Sequence, residues 1–382
     1  MPTTEIWAVN SLGRVFTLST KEQFWKELRY GGLEFKRVSA TSFCTWAIGG
    51  DHMVYVYIPL QDIPIRFKEV TFENERWNPY SGFTSKLLPT DRPHFSSEDG
   101  LTELPKENFQ LPSPSWQWEE DWYIEDSLDG QPLGIEGWTY SVDFPLHYGP
   151  SKKWNSMVRR RKWVRYRKFI AMDNWTLVPS IYSDPVTEPF LDVAVGGNDI
   201  PGGNTANFAV WSVTVMGRIM FRCGVTTVCP EGAKWIHIPT PSGCEVNQIS
   251  VSPTGLVWAV TWDGNALVRT GVNRENIIGN VWKKVDCPNE KHPLLQISVG
   301  TNTVWAVSRS GEIWFRKGIK GQQAGVDDDY AIGSGWVKMV GEMSSISVGA
   351  NDQVNYLLFV KSTLINFLSI FLFYSLSKFF LL

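Results

Sequence analysis

The chain of 382 residues has little of what most enzymes and extracellular scaffolds depend on. Its five cysteines, Cys44, Cys223, Cys229, Cys244 and Cys287, are odd in number and contain no C-x-x-C pair. That excludes a disulfide framework or a zinc site as the organising device and points to a reducing, cytosolic setting. His52, His94, His147, His237 and His292 sit in unrelated contexts, and no G-x-S-x-G elbow, P-loop or metal-ligand spacing occurs. Neither an enzyme, a cofactor nor a metal is therefore expected. A net charge of only −3 gives no global attraction for nucleic acid. No basic, apolar leader follows Met1, so no secretory signal is visible. What is abundant is 19 tryptophans among 22 prolines and 32 glycines, a mixture that favours many short strands with frequent turns over long helices.

One stretch organises the middle of the chain, the run from Trp154 to Lys168 that contains Arg159-Arg160-Arg161-Lys162-Trp163-Val164-Arg165-Tyr166-Arg167. As a strand it places Arg159, Arg161, Trp163, Arg165 and Arg167 on one face and Arg160, Lys162, Val164, Tyr166 and Lys168 on the other. Such a strand repels itself unless partners receive the guanidinium groups. Upstream lie Trp77, Trp116, Trp118, Trp122 and Trp138, with Glu73, Glu75, Glu119, Glu120, Asp121 and Asp143 among them. Arginine stacks on indole faces for about 0.5–2 kcal/mol per pair and its planar fork suits carboxylates, so the run reads as an internal Arg/Trp stack. A solvated basic arm for nucleic acid or an import receptor is the competing reading. The interleaved Trp163, Val164 and Tyr166 and the lack of a polar-rich flank speak against it.

Repeats frame this segment. Val210-Trp211, Val257-Trp258 and Val304-Trp305 recur at a spacing of 47, and Gly217, Gly264 and Gly311 keep the same step, as do Arg222, Arg269 and Arg316. Each unit carries about four short strands, the content of one propeller blade, with Trp211, Trp258 and Trp305 as the expected inter-blade core. Related pieces occur at Ile6 to Leu18 and around Cys44 to Ile58. The expected fold is therefore all-β: an incomplete set of propeller blades, with a β-rich domain inserted between strands near 60 and 175. The expected divisions are 1–60, 61–170, 171–355 and an apolar tail, 356–382. The tail holds only Lys361 and Lys378 as charges, and the 16 residues between them are apolar or hydroxyl-bearing apart from Asn366. It reads either as a helical tail anchor with snorkelling lysines or as a divergent end that interrupts a repeat in mid-strand.

With both patterns laid out, the chain resembles the N-terminal part of the tectonin beta-propeller repeat-containing proteins, over nearly all of residues 1 to 354. The central segment resembles a dysferlin domain, whose signatures match Glu73-Asn74-Glu75-Arg76-Trp77-Asn78-Pro79, Trp116-Gln117-Trp118-Glu119-Glu120-Asp121-Trp122, Glu136-Gly137-Trp138-Thr139-Tyr140, and Val158 to Trp163. Pro93-His94-Phe95 departs from the tryptophan-rich turn usual there. The family's pleckstrin-like domain, autophagy-interacting segment and second tectonin-dysferlin half have no counterpart in this sequence.

The resemblance implies a non-enzymatic cytoplasmic factor in autophagy, peripheral on lysosomal or autophagosomal membranes. It implies action in autophagosome-lysosome fusion or in the response to damaged lysosomes, with the dysferlin unit binding exposed sphingomyelin. Trp154 stands where the family has its membrane-contacting tryptophan, beside Lys152 and Lys153. Nucleic acid is not an expected partner, and the family's segment for the autophagy conjugation machinery lies outside the match. The alternatives are a protein-interaction scaffold or a lectin-like propeller without lipid binding. The carboxylates near Trp118 and Trp122 could mimic a glycosidase pair, but arginine partners account for them better.

Overall fold

A computed structural model describes residues 5–19, 21, 24–29, 31–180 and 184–357, so the apolar-tail reading falls almost wholly outside the described residues. The chain divides into two compact units, one from Met1–Leu60 with Asp173–Leu382 and the other from Gln61–Met172. No helix among the described residues is long and apolar enough to cross a membrane.

The first unit is a β-propeller array. A three-stranded sheet (Glu5–Val9, Val15–Ser19, Trp25–Glu27) precedes four four-stranded antiparallel sheets and a two-stranded one, Ser345–Val348 with Val354–Leu357. The four full blades start with inner strands Phe35–Ala40, Phe190–Gly196, Val246–Val251 and Leu294–Val299. Only the first is interrupted. Its third strand, Val54–Tyr57, pairs antiparallel with Trp175–Leu177, and the whole second unit lies between them in sequence. The expected insertion point is thus a single hairpin between the third and outer strands of one blade.

The 47-residue landmarks have separate jobs. Trp211 and Trp258 in the second strands are fully buried, as is Trp46 at the same place in the interrupted blade. Each meets the outer-strand tryptophan of the following blade edge-on: Trp46 with Trp235, Trp211 with Trp282, and Trp258 with Trp336, at centroid separations of 6.5, 5.8 and 6.1 Å. These pairs form the layer between blades, adding edge-to-face attraction to the area that they bury. Trp305 is 6% exposed and packs edge-on against Phe315 of its own blade.

The arginine landmarks tie third strands to outer strands. Arg222, Arg269 and Arg316 lie over Trp235, Trp282 and Trp336 at 5.2–5.4 Å. They donate to the carbonyls of Glu231, Ile278 and Gly279, and Ile332 and Gly333. In the interrupted blade Tyr57 takes the arginine's place, packed at a tilt against Trp175 and donating to the Asp173 carboxylate. Gly279 illustrates why glycine recurs three residues before these tryptophans. Its φ is +71°, and a Cβ would stand 2.7 Å from the Thr270 carbonyl oxygen.

The polar-Ile-Ser-Val pattern of the inner strands is a clamp between blades. Gln248 Oε1 accepts from the Ile297 N–H, and Gln296 Oε1 from that of Ile346. Ser250 and Ser298 hydroxyls accept from the Val299 and Val348 N–H groups. Asp192 occupies the glutamine position one blade earlier and accepts from the Ile249 N–H at 2.9 Å, with Arg37 3.9 Å away. Burial pushes the Asp192 carboxyl up to about 6, against the smaller opposing pull of Arg37. A raised folded-state value means that its stabilising protonation is complete below the ordinary aspartate range and is lost as pH rises through about 6. Asp192→Asn keeps the acceptor and removes the buried charge. It is expected to raise stability at pH 7 by about 1–3 kcal/mol, from the equivalence of one pKa unit to about 1.4 kcal/mol. The gain should shrink towards pH 4, as urea titrations at several pH values would read out.

Candidate membrane-facing site

The second unit is built on two long antiparallel strands, Arg66–Asn78, which carries Glu69, Glu73 and Glu75, and basic Val158–Phe169. Their register sets Arg161 opposite Glu73, Arg159 opposite Glu75 and Arg165 opposite Glu69. Along its other edge the basic strand pairs in turn with Trp116–Trp118, Tyr123–Ile124 and Trp138–Ser141. Those short strands deliver indoles next to the arginines. Arg159 and Arg161 lie over Trp138 at 3.9 and 4.5 Å, Arg165 over Trp118 at 4.2 Å, and Arg167 over Trp116 at 4.1 Å. Carboxylates complete the ladder: Arg159 with Glu75, Arg161 with Glu73, and Arg167 with Glu69. Arg165 instead donates to the Glu120 carbonyl.

Glu73 is the centre of this network. It accepts from Arg161 Nε at 2.8 Å, Arg161 Nη2 at 3.2 Å and the Trp163 indole N–H at 2.7 Å. Burial alone would raise its carboxyl, but the bonds from Arg161 and Trp163 outweigh burial and hold it below the usual glutamate range. Several cations of the opposite face also have partners. Arg160 sits between Phe72 and Tyr148, while Glu125 bridges Lys68 and Lys162.

Several sequence expectations need correction. Among the described residues, Trp77 and Trp122 carry no guanidinium. Trp77 stands at the strand end, paired across to Phe83, and Trp122 lies in a loop, edge-on to Phe109. Glu119 and Asp143 bind Arg66 and Arg76 rather than the basic strand, because strand register brings those arginines beside them. Glu69, upstream of the matched signatures, was not among the expected partners. Only the pairing register reveals it.

One end of this sheet carries exposed apolar side chains. The hairpin from Asn78 to Gly82 presents Tyr80, and the loop from Val142 to Met157 presents Leu146 and Trp154. Trp154 is 97% exposed. It does not hang on a loose segment: the Lys153 N–H donates to Ser156 Oγ at 2.9 Å, and the Ser156 N–H donates to the Lys153 carbonyl at 3.1 Å. Tyr140 and Gly149 exchange both backbone hydrogen bonds before the turn, and Met157 is bonded to Ser141 and Trp77 after it. The ring is thus held out at the tip of a turn whose two ends are pinned to the sheet.

Beside the turn lies an open groove of about 620 Å³ lined by Gly134, Ile135, Glu136, Trp138, Tyr140, Pro150, Ser151 and Lys152. Lys152 Nζ leans over the Phe83 ring at 5.3 Å, and Glu136 Oε2 accepts from the Trp138 indole N–H at 3.0 Å. The sequence names Lys152, Lys153 and Trp154 as the lipid contact, while Glu136 and Tyr140 enter only as part of a family signature and Ile135 not at all. No linear pattern joins residues 134–136 to 150–152. The Trp138–Ser141 strand and its Tyr140–Gly149 bridge bring them together. No group of three or more His, Cys, Asp and Glu side chains among the described residues could hold a metal ion.

Blades built on a repeated Val-Trp-Ala-Val strand, with a second β-rich unit spliced into one hairpin, define a β-propeller protein of the tectonin-repeat kind. Residues 209–238, 256–285 and 303–339 match a family described as Propeller, and residues 8–165 one described as Integral peroxisomal membrane peroxin. Its relatives include tectonin beta-propeller repeat-containing proteins. The chain is 52% identical over 356 residues to the Drosophila melanogaster protein of that name, covering 93% of this chain and 26% of that protein. It is 47% identical over 356 residues to tectonin beta-propeller repeat-containing protein 1 of Mus musculus, covering 93% and 30%, respectively. To the Homo sapiens protein it is 46% identical over 259 residues, covering 67% and 22%. The chain therefore spans less than a third of the length of these relatives.

Proposed function

We propose that this chain is a non-enzymatic membrane-sensing module whose inserted unit acts as a dysferlin domain and binds sphingomyelin exposed to the cytosol. It would serve autophagosome-lysosome fusion or the response to damaged lysosomes. The observation that carries this reading is Trp154, 97% exposed on a clamped turn beside Lys152 and Lys153. An indole at such a tip enters the headgroup boundary while neighbouring ammonium groups stay wet. The similarity of residues 8–165 to a family described as an integral membrane peroxin adds support for a membrane role.

The rigid ladder behind the turn supplies preorganisation, so little ordering entropy offsets insertion. Full burial of an indole of about 150–250 Å² sets a ceiling of about 4–6 kcal/mol at 25 cal/mol per Å². Partial insertion gives a fraction of that, and avidity from several attachments raises it. Trp154→Ala is therefore expected to weaken flotation with sphingomyelin-containing liposomes at least tenfold, at unchanged melting temperature. Equal flotation of variant and parent would remove this reading.

A second reading, a protein-interaction scaffold, draws on the propeller. Met216 and Trp262, on hairpins joining second to third strands in consecutive blades, are 65% and 47% exposed. Under that reading Met216→Asp with Trp262→Asp abolishes partner capture from cell extract while leaving liposome flotation intact. Lipid binding that disappears with the same pair would count against it.

A further inference from the structure

We propose that the two ends of the blade array are an interface for each other: Ser345–Val348 pairs with Glu5–Val9 of the same chain, completing the first sheet as a further blade and closing the ring. Val354–Leu357, the strand paired with Ser345–Val348 in the structure, holds the place that Glu5–Val9 takes on closure.

The first sheet has the second, third and outer strands of a blade and, among the described residues, no inner one. Ile6-Trp7-Ala8-Val9 repeats the Val-Trp-Ala-Val of the second strands Val257–Thr261 and Val304–Ser308, and Leu18 faces Trp25 as Arg269 faces Trp282. Glu5–Val9 also packs against the inner strand Phe35–Ala40 as Val257–Thr261 packs against Leu294–Val299. Burial shows what is missing. Every residue of the second strand is buried in each of the four full blades, whereas no residue of Glu5–Val9 is. Trp7 and Val9 face the following blade, but Ile6 and Ala8, with Phe16 and Leu18 opposite them, form an apolar face that is only half covered. In the third full blade the corresponding Val257 and Ala259 pack into the cluster around Trp211 of the blade before. An open backbone edge beside an apolar face is a template for strand addition.

The other end of the array carries the matching strand. The Ile346 and Val348 N–H groups donate to Gln296 Oε1 and Ser298 Oγ, the same clamp that seats Leu294–Val299 on the blade before it. Ser345–Val348 is thereby fixed as an inner strand. Its present partner fits the second-strand pattern poorly, because Asn355 stands where Trp46, Trp258 and Trp305 stand in the same register. Trp305 itself packs on Phe315 of its own blade, whereas Trp46, Trp211 and Trp258 each meet the outer-strand tryptophan of the next one. Trp25 holds that outer-strand position in the first sheet. Closure sets Trp305 towards Trp25 and brings the Ser347 hydroxyl to the Ala40 N–H, continuing the clamp in which Ser39 Oγ accepts from the Val195 N–H. Two unlike surfaces that fit each other either close within one chain or run on from copy to copy. Within one chain the partner is always present, which favours closure at ordinary concentrations.

The register of the full blades, with Val251 opposite Val257 and Val299 opposite Val304, places Val348 opposite Ile6 on closure, where in the structure it faces Val354. Directly opposed positions are close enough for a disulfide. The test oxidises the dilute full chain mildly and reads the bonds by non-reducing electrophoresis and peptide mass spectrometry. Ile6→Cys with Val348→Cys is expected to join within the monomer about tenfold more than the mismatched pair Leu12→Cys with Val348→Cys, the gain expected when a contact is held within one molecule. Val348→Cys with Val354→Cys is the folding control, since it bonds when the end of the array keeps the pairing described. Adding Leu18→Asp places a charge on the half-covered face. It should cut the bond between positions 6 and 348 about fivefold while the control pair still forms. Equal yields for the matched and mismatched pairs overturn the closure, as does a yield untouched by Leu18→Asp. A bond between positions 6 and 348 that forms only between copies overturns pairing within the chain and makes a second copy the occupant of the edge.

Discussion

Asp184→Ala is expected to lower the stability of the propeller unit by about 3–5 kcal/mol, the usual cost of stranding one member of a buried ion pair. Asp184 and Arg222 both have fully inaccessible side chains, and they meet at 3.3 Å. Asp184 also accepts from the Trp235 N–H at 2.8 Å, while Arg222 donates to the carbonyls of Glu231 and Pro179. Removing the carboxylate leaves the guanidinium with carbonyl partners and only the weaker pull of Glu231, in surroundings where burial already works against its charged form. A fall in melting temperature on the order of 10 °C should follow. Calorimetry would measure it. The double variant Asp184→Ala with Arg222→Met should be more stable than Asp184→Ala alone, because it removes the stranded charge as well as its partner. If the single and double variants melt together, the penalty does not come from charge burial. The equivalent arginines of the next two blades, Arg269 and Arg316, have carbonyl acceptors and 7–8% exposure, so the pair at Arg222 is particular to its blade.

The second large effect belongs to Glu73. Glu73→Ala removes three hydrogen bonds at once and leaves Arg161 without its carboxylate on the ladder. About 3 kcal/mol or more should be lost from the inserted unit, with a change in near-ultraviolet dichroism as Trp163 and Trp138 loosen. Its pH dependence runs opposite to that of Asp192. A depressed carboxyl contributes stability that is present above the ordinary glutamate range and is lost as pH falls through the folded-state value. The acid limb of unfolding should therefore be shallower in Glu73→Gln than in the parent. Parallel limbs would show that Glu73 is not the proton-linked group.

These two sites also mark the limit of what the sequence discloses. The spacing of Trp211, Trp258 and Trp305 made the blades legible, and the alternation from Arg159 to Arg167 made a one-faced guanidinium row legible. Both are periodic, and periodicity survives in one dimension. Partner choice is not periodic. Glu73 and Glu75 lie opposite Arg161 and Arg159 through a register set along the whole strand pair, which also brings in Glu69 and excludes Trp77 and Trp122. Gln248 and Gln296 stood out only as polar positions in a motif, because the backbone N–H groups they serve belong to the next blade. Tyr57 standing where other blades have arginine was hidden for a similar reason: its outer-strand partner Trp175 is separated from it by the entire inserted unit. The groove was invisible because its rims are joined only by the Tyr140–Gly149 bridge.

The interrupted hairpin has a consequence for engineering and for descent. The Asp173 N–H donates to the Ile58 carbonyl at 2.8 Å, and the Phe169 N–H to that of Ile65 at 2.9 Å, so the chain departs and returns through nearly the same point. Excising Gln61–Met172 and bridging Leu60 to Asp173 with a short turn should restore an ordinary blade hairpin. The liberated piece, its ends already adjacent, could be circularised or grafted into another hairpin as a portable cassette.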